Sequence, residues 1–316
     1  MAIPAASSLS LPKVAILLCT FQGENYLAEQ LDSIAAQTHA HWEVWASDDA
    51  SKDGTRTVLE SYARNWGSGR LAVQSGPCKG FVANFLSLVC KGDIDAHYYA
   101  YADQDDVWES DKLARALAWL ESVPPGIPAV YCSRTRLVDA QNNEIGLSPL
   151  FSRSPSFANA LMQNIGGGNT MVFNRAARDL LQLAGKDVDV ITHDWWTYLV
   201  VVGCGGHIYY DPRPTLRYRQ HKTNLVGSNV GFVARLSRIA MLWRGRFKEL
   251  NDRHLQALDC LHSQITSANK EILNEFRAAR HKPLLPRIVG FLRSGIHRQT
   301  LMGNIGLVVA TLFKKM

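Results

Sequence analysis

Lys13–Phe21 (KVAILLCTF) is a continuous apolar, β-branched run of strand length, and Trp42–Ser47 is another. A run that is apolar at every position suits a strand covered on both faces, as in a parallel sheet. Between them Tyr26, Leu27, Leu31 and Ile34 recur at helical spacing, so strand, amphipathic helix and strand follow in order. This βαβ unit predicts an α/β fold built on a parallel sheet. In open sheets of that kind ligands bind beyond the carboxyl ends of the strands.

Both acidic clusters of the first half fall at such ends. Tyr98–Lys112 (YYAYADQDDVWESDK) runs from an aromatic strand into Asp103, Asp105 and Asp106. Carboxylates this close repel one another unless a cation or several donors neutralise them. Asp103-Gln104-Asp105 can offer two oxygen donors to Mg²⁺ or Mn²⁺, which keep free positions for a diphosphate. The alternative is a solvated acidic turn before the next helix, with Asp111 as a further cap. Trp42–Ser47 likewise ends in Asp48 and Asp49, followed by Ala50–Thr55, where Ser51 or Asp53 can cap a helix. Two acidic clusters on one sheet edge suit a nucleotide, an acid reading the ribose or base while the phosphates lie nearer the metal.

A third constellation is Ile191–Trp196 (ITHDWW). Asp194 can serve as a general base, since a hydroxyl nucleophile must lose its proton as it attacks. Trp195 and Trp196 can supply an apolar wall and a stacking face. The structural alternative is a helix start capped by Thr192 or Asp194, with both tryptophans in the core. Gly166-Gly167-Gly168 before Asn169 permits close backbone approach, but no Lys-Ser/Thr follows, so it is no phosphate loop. Arg217, Arg219, His221 and Lys222 gather positive charge suited to a departing diphosphate.

These segments, with Ile16–Leu31, Gln37-Thr38, Ser47–Thr55, Gly80–Phe85, Asp103–Trp108, Gly167–Thr170, His193–Trp196 and Tyr218–His221 in order, resemble family 2 glycosyltransferases. The likeness spans about residues 13–227 and is greatest to the rhamnosyltransferase-like branch that builds bacterial surface polysaccharides. It implies a GT-A fold and a nucleoside-diphosphate sugar donor, dTDP-rhamnose first among them. By this resemblance Thr20, Phe21, Glu24, Asp48, Asp49, Asn84 and Asp103 bind the donor nucleotide, and Asp105 with Asp103 holds Mg²⁺ or Mn²⁺. His221 resembles the histidine that approaches the metal or phosphates, and Asp194 the catalytic base. Arg219, Gly168, Asn169, Trp195 and Trp196 fall on the diphosphate and acceptor side. Phe21-Gln22 stands where Tyr-Asn is common, which removes a phenol hydroxyl and keeps the stacking face.

The chain is thus expected to be an inverting transferase acting on a bacterial glycan or lipid-linked acceptor. The alternatives are a nucleotide-sugar scaffold without turnover and a glycoside hydrolase working through paired carboxylates. Composition agrees with a globular protein: 316 residues, 47% hydrophobic and 20% charged. Cys19, Cys78, Cys90, Cys132, Cys204 and Cys260 show no metal spacing and read as reduced core thiols, hence a cytoplasmic setting. MAIPAASSLSLP lacks the features of a secretory signal.

Charge divides the chain. Residues 230–316 carry a net +10, leaving −4 for the rest. Phe232, Leu236, Ile239 and Trp243, then Ile288, Phe291 and Leu292, recur at helical spacing, predicting a basic helical extension after a catalytic domain of residues 1–229. Within that domain, residues 13–112 form the donor half and 113–229 the acceptor half. The uncharged run Gln299–Phe313 has 15 residues, short of the roughly 20 that span a bilayer. An interfacial helix on anionic lipid, peripheral on the cytoplasmic face of the inner membrane, is expected; the alternative is packing on the catalytic domain. Without a nucleic-acid module the basic balance does not imply nucleic acid.

Overall fold

The computed structural model describes residues 11–221 and 246–316. Lys222, Phe232, Leu236, Ile239, Trp243 and the expected boundary at 229/230 lie outside the described residues, as do residues 1–10.

The expected βαβ unit forms: β1 (Val14–Thr20), α1 (Leu27–Ala35) and β2 (Trp42–Asp48), followed by α2 (Thr55–Trp66), β3 (Leu71–Ser75), α3 (Phe81–Val89) and β4 (Tyr98–Ala102). These four strands pair in parallel. β6 (Ala129–Ser133), β9 (Val172–Asn174) and β10 (His207–Asp211) complete a seven-stranded sheet in the order β10-β6-β9-β4-β1-β2-β3, in which β9 alone runs against its neighbours. A smaller sheet, β5-β11-β7-β8, is made of β5 (Val107–Trp108), β7 (Arg136–Val138), β8 (Glu144–Leu147) and β11 (Leu216–Arg219).

Alternation along the strands feeds two cores. Ala15, Leu17, Cys19, Tyr99 and Tyr101 point into one, and Val14, Ile16, Leu18, Ala100 and Ala102 into the other. The first core also holds α6 (Arg175–Ala184) and α7 (His193–Gly203). From Trp196 to Gly203 every residue of α7 is buried, as suits a helix apolar all round. α1 and α4 (Lys112–Leu120) cover the other face.

The C-terminal helices α8 (Arg246–Ala257), α9 (Ser267–His281), α10 (Leu284–Ser294) and α11 (Leu301–Leu312) contribute Leu255, Leu273, Phe276, Phe291 and Leu307 to the same core as α7. Asn269 donates to the carbonyls of Val202 and Gly203 at 2.8 and 3.0 Å, capping the end of α7. Asn159 on α5 (Phe157–Ala160) donates to the carbonyl of His297 at 3.0 Å. The described part of the extension therefore packs on α5 and α7. No helix among the described residues is long and apolar enough to cross a membrane.

Two local expectations fail. The cysteines are all free, but Cys78 and Cys260 are exposed rather than in the core. Neither Asp111 nor Thr192 caps its helix through a side chain, whereas Asp53, as expected, serves the start of α2: its Oδ1 accepts the N–H of Thr55 at 3.1 Å, with Gly54 between them.

Candidate active site

The parallel strands β1, β2 and β4 all end at one edge, and the loops that follow are tied together. Gln104 clasps the backbone of Phe21, accepting its N–H at 2.8 Å and donating to its carbonyl at 2.9 Å. Gln22 donates its N–H to Ser51 Oγ at 2.8 Å, and its side-chain oxygen accepts the N–H groups of Lys52 and Asp53. Gly23 donates to Thr55 Oγ1 at 2.7 Å, and Glu24 accepts from the backbone of Gly54. With its backbone held from both sides, the Phe21 ring stands 58% exposed at the mouth.

Asp48 and Asp49 are buried and spent on the protein itself. Asp48 accepts from the hydroxyls of Thr20 at 2.9 Å and Ser51 at 2.6 Å. Asp49 accepts from the backbone N–H groups of Cys78 at 2.6 Å and Gly80 at 2.9 Å. Asn84 donates to the carbonyl of Ser47 at 2.9 Å while its side-chain oxygen has no partner. A Cβ at Gly76 would lie 2.7 Å from Asp49 Oδ1 and 2.8 Å from Asn84 Oδ1, so the chain there approaches both acceptors closely. The expected nucleotide contacts of Thr20, Asp48, Asp49 and Asn84 thus appear as the bracing of the loops that would meet the base.

Beyond β4 the three carboxylates separate in role. Asp105 Oδ2 lies 2.8 Å from Nε2 of His221, and the two could hold a metal between protein and diphosphate. Among the described residues no three His, Cys, Asp or Glu side chains converge on one point, so such an ion would need ligand oxygens from elsewhere. Burial, then the charges of Asp105 and Asp194, hold the Asp103 carboxyl well above the ordinary range. The direction of that shift marks a spot that would favour a cation. Asp106 instead turns into the protein, where it is fully buried and accepts from Asn169 Nδ2 at 2.6 Å.

Arg219 corrects the sequence reading. Its guanidinium, 1% exposed, donates to the carbonyls of Asp105 at 3.0 Å and Ala140 at 2.9 Å, pairs with Glu29 and lies 4.6 Å from the Tyr26 ring centre. It secures the Asp105 turn from below rather than facing a diphosphate. Asn169 is corrected likewise. It is buried, with its amide on Asp106 and its carbonyl accepting from Lys112 Nζ. Burial brings the Lys112 ammonium down to about 7, despite Asp106 and Asp103 nearby.

Because β9 is antiparallel to β4, with Val172 opposite Ala100, the Gly167–Thr170 turn that precedes it returns to the acidic edge. There the Gly168 N–H donates to Asp194 Oδ2 at 3.0 Å, while Asp194 Oδ1 accepts from the Trp195 N–H at 2.7 Å. Asp194 sits half-buried in the first turn of α7, where the helix dipole favours an acid. Gly168 is obligatory: an added Cβ would meet His193 Nε2 at 2.3 Å. His193 stacks on Phe85 with ring centres 3.9 Å apart. Trp196 is fully buried and cannot form a sugar platform; Trp195 is half-buried, donating to the carbonyl of Ala160 at 2.7 Å.

Sequence reasoning gave Lys112 and His193 no role of their own, and named Asp106 and Gln104 only as members of the acidic motif. Gln104 lies inside the acidic motif, the one signal that could have drawn attention to it. A surface concavity of about 430 Å³ between residues 151–155 and β10 contains none of the site residues.

A model of glycosyl transferase family 2 matches residues 15–181, which include the β1, β2 and β4 ends and the turn before β9. The chain belongs to glycosyltransferase family 2. Among its relatives, this glycosyltransferase is 27% identical to the dTDP-rhamnosyl transferase RfbG of Shigella flexneri, over 71% of this chain and 78% of that one. It is 31% identical to the putative glycosyltransferase EpsE of Bacillus subtilis over 35% of this chain and 39% of that one. Its fold is that of solved GT-A enzymes. TarS of S. aureus, solved with UDP-GlcNAc, superposes with a TM-score of 0.51 at 16% identity, over 90% of this chain and 93% of that one. The mannosyltransferase PcManGT of Pyrobaculum calidifontis, solved with GDP-Man and Mn²⁺, gives 0.52 at 18% identity, over 96% and 88%. Fold class, family and enzyme class agree with the sequence reading.

Proposed function

We propose that this glycosyltransferase moves rhamnose from dTDP-rhamnose to a hydroxyl of a bacterial surface glycan or lipid-linked acceptor, with inversion at the anomeric carbon. The observation that carries the reading is that the turn before β9 ties Asp194 to the acidic edge: the Gly168 N–H donates to Asp194 and the Asn169 amide to Asp106, beside the Asp105–His221 pair. The rhamnose donor is supported by the likeness to RfbG.

In this reading the base lies in the loops bracketed by Phe21 and Glu24, with the Phe21 ring as a stacking face. The diphosphate reaches Asp105 and His221, which would hold Mg²⁺ or Mn²⁺. A divalent ion bound there supplies the positive charge that offsets the charge growing on the leaving diphosphate. Arg219 keeps the Asp105 turn in place. Asp194, oriented by the N–H groups of Gly168 and Trp195, takes the proton of the acceptor hydroxyl as it attacks opposite the leaving group. Trp195 borders the acceptor. The site works at the cytoplasmic face of a membrane, to which the protein attaches peripherally.

A donor panel with purified protein, read as nucleoside-diphosphate release, tests the proposal. dTDP-rhamnose should be turned over in preference to other donors, chelation should stop release, and Mn²⁺ or Mg²⁺ should restore it. Equal release in excess EDTA would remove the metal from the mechanism, and preference for another sugar would overturn the donor assignment.

A further inference from the structure

Helices α10 and α11 have two apolar sides, of which the fold uses one. Inward, α10 buries Arg287, Gly290, Phe291 and Ser294, and α11 buries Leu307, Ala310 and Thr311. Outward, Leu285, Val289 and Leu292 recur at i, i+4 and i+7, and Leu301, Ile305, Val308 and Leu312 at i, i+4, i+7 and i+11. Leu285, Leu292 and Leu301 are 74%, 75% and 77% exposed. A surface helix ordinarily turns polar residues to water. Here the solvent side is a stripe of leucine, isoleucine and valine, and α11 contains no charged residue at all. An apolar surface of this continuity marks an interaction face.

The charges select the partner. Residues 282–316 contain Lys282, Arg287, Arg293, Arg298, Lys314 and Lys315 and no Asp or Glu. Arg293 and Lys314 are exposed beside the stripes. A second copy meeting this face through a two-fold axis would bring the exposed Arg293 and Lys314 against their own counterparts, like charge against like. An anionic bilayer instead meets the apolar stripes with acyl chains and the cations with headgroups. Helices of 11 and 12 residues reach about 16–18 Å at about 1.5 Å per residue, well under the roughly 30 Å hydrocarbon core. They can therefore lie in the interface but not cross it.

We infer that the outward faces of α10 and α11, flanked by Arg293 and Lys314, are the surface by which this glycosyltransferase seats on an anionic membrane. This deepens the peripheral attachment proposed above and stands apart from the donor chemistry, because no donor-site residue lies on these helices.

Full-length protein is sedimented with phosphatidylcholine vesicles, with and without phosphatidylglycerol. Wild type should bind the anionic vesicles, and increasingly weakly as salt is raised. The exposed-position pairs Leu285→Glu with Leu292→Glu, and Leu301→Glu with Val308→Glu, should each weaken binding by at least about tenfold. Arg293→Glu with Lys314→Glu should weaken binding to anionic vesicles to a similar degree. Nucleoside-diphosphate binding, measured calorimetrically, should be unchanged in every variant and reports an intact fold. Loss of nucleotide binding by wild type itself would count against the proposed donor site and leave the membrane face standing. Vesicle binding that ignores all three variants overturns the inference. So does a wild type that binds neither vesicle and is a dimer by light scattering, split by the leucine variants. Capture by an acidic protein without vesicle binding overturns it equally.

Discussion

At the residue scale, the carboxylates of this edge divide between bearing on a ligand and bearing on the protein. Asp106 belongs to the second kind. Burial and then its acidic neighbours hold its carboxyl well above the ordinary range, so its neutral form is favoured while it accepts from Asn169. Asn169 in turn fixes the turn whose Gly168 N–H orients Asp194. Asp106→Asn, which preserves shape and neutrality, should keep most activity, whereas Asp106→Ala should lower kcat by about tenfold or more with donor affinity little changed. A matching rise in donor KM would place Asp106 on the donor instead. Asp194→Asn is the sharper probe: donor binding should persist in calorimetry while transfer falls by about 10²–10⁴-fold. The sequence displayed the acids as types but not their directions, because a turn after a strand has no period from which facing can be read. Arg219 shows the same limit: a cation near phosphate-binding motifs reads as a phosphate ligand until its partners are seen.

At the element scale, the long apolar strands and the amphipathic α1 were legible because burial on both faces of a parallel sheet leaves a continuous signal. The small sheet was not. Its strands have two to four residues, too few for a period to emerge, yet β11 is what carries Arg219 and His221 to the Asp105 turn. The antiparallel β9 was equally hidden, and without it Gly168 would not reach Asp194. Between elements, Gln104 joins the loop after β4 to the loop after β1 through two hydrogen bonds to Phe21. Gln104→Ala should free the Phe21 ring and raise donor KM by up to about thirtyfold with kcat nearly constant, since each of the two lost bonds contributes about 1 kcal/mol. An unchanged KM in steady-state assays would mean that Phe21 does not contact the donor.

At the scale of the whole molecule, the extension that sequence sets apart by charge is joined to α7 by packing. Arg253 on α8 pairs with Asp189 and donates to the carbonyl of Val190 at 3.0 Å, and the His254 ring meets Trp195 edge-on at 4.5 Å. Charge asymmetry was visible along the chain; shared burial was not, since a contact between residues 195 and 254 leaves no local pattern. This junction contains two imidazoles, His193 and His254, whose ring nitrogens are buried without hydrogen-bond partners. Burial lowers His193 to about 4 and, with Arg253 nearby, His254 to about 3. An unfolded imidazole titrates near 6.5, so as pH falls below that value the unfolded chain takes up protons that the folded chain refuses. Stability is full above about pH 6.5 and drains as pH drops toward 4 for His193 and 3 for His254, on the order of 3 kcal/mol for the first and 5 kcal/mol for the second. Thermal denaturation followed from pH 7.5 to 5 should therefore show a steep fall in Tm, and His254→Phe, which leaves an uncharged ring against Trp195, should flatten it. An identical pH slope in that variant would assign the acid sensitivity to groups elsewhere and leave His254 as ordinary packing.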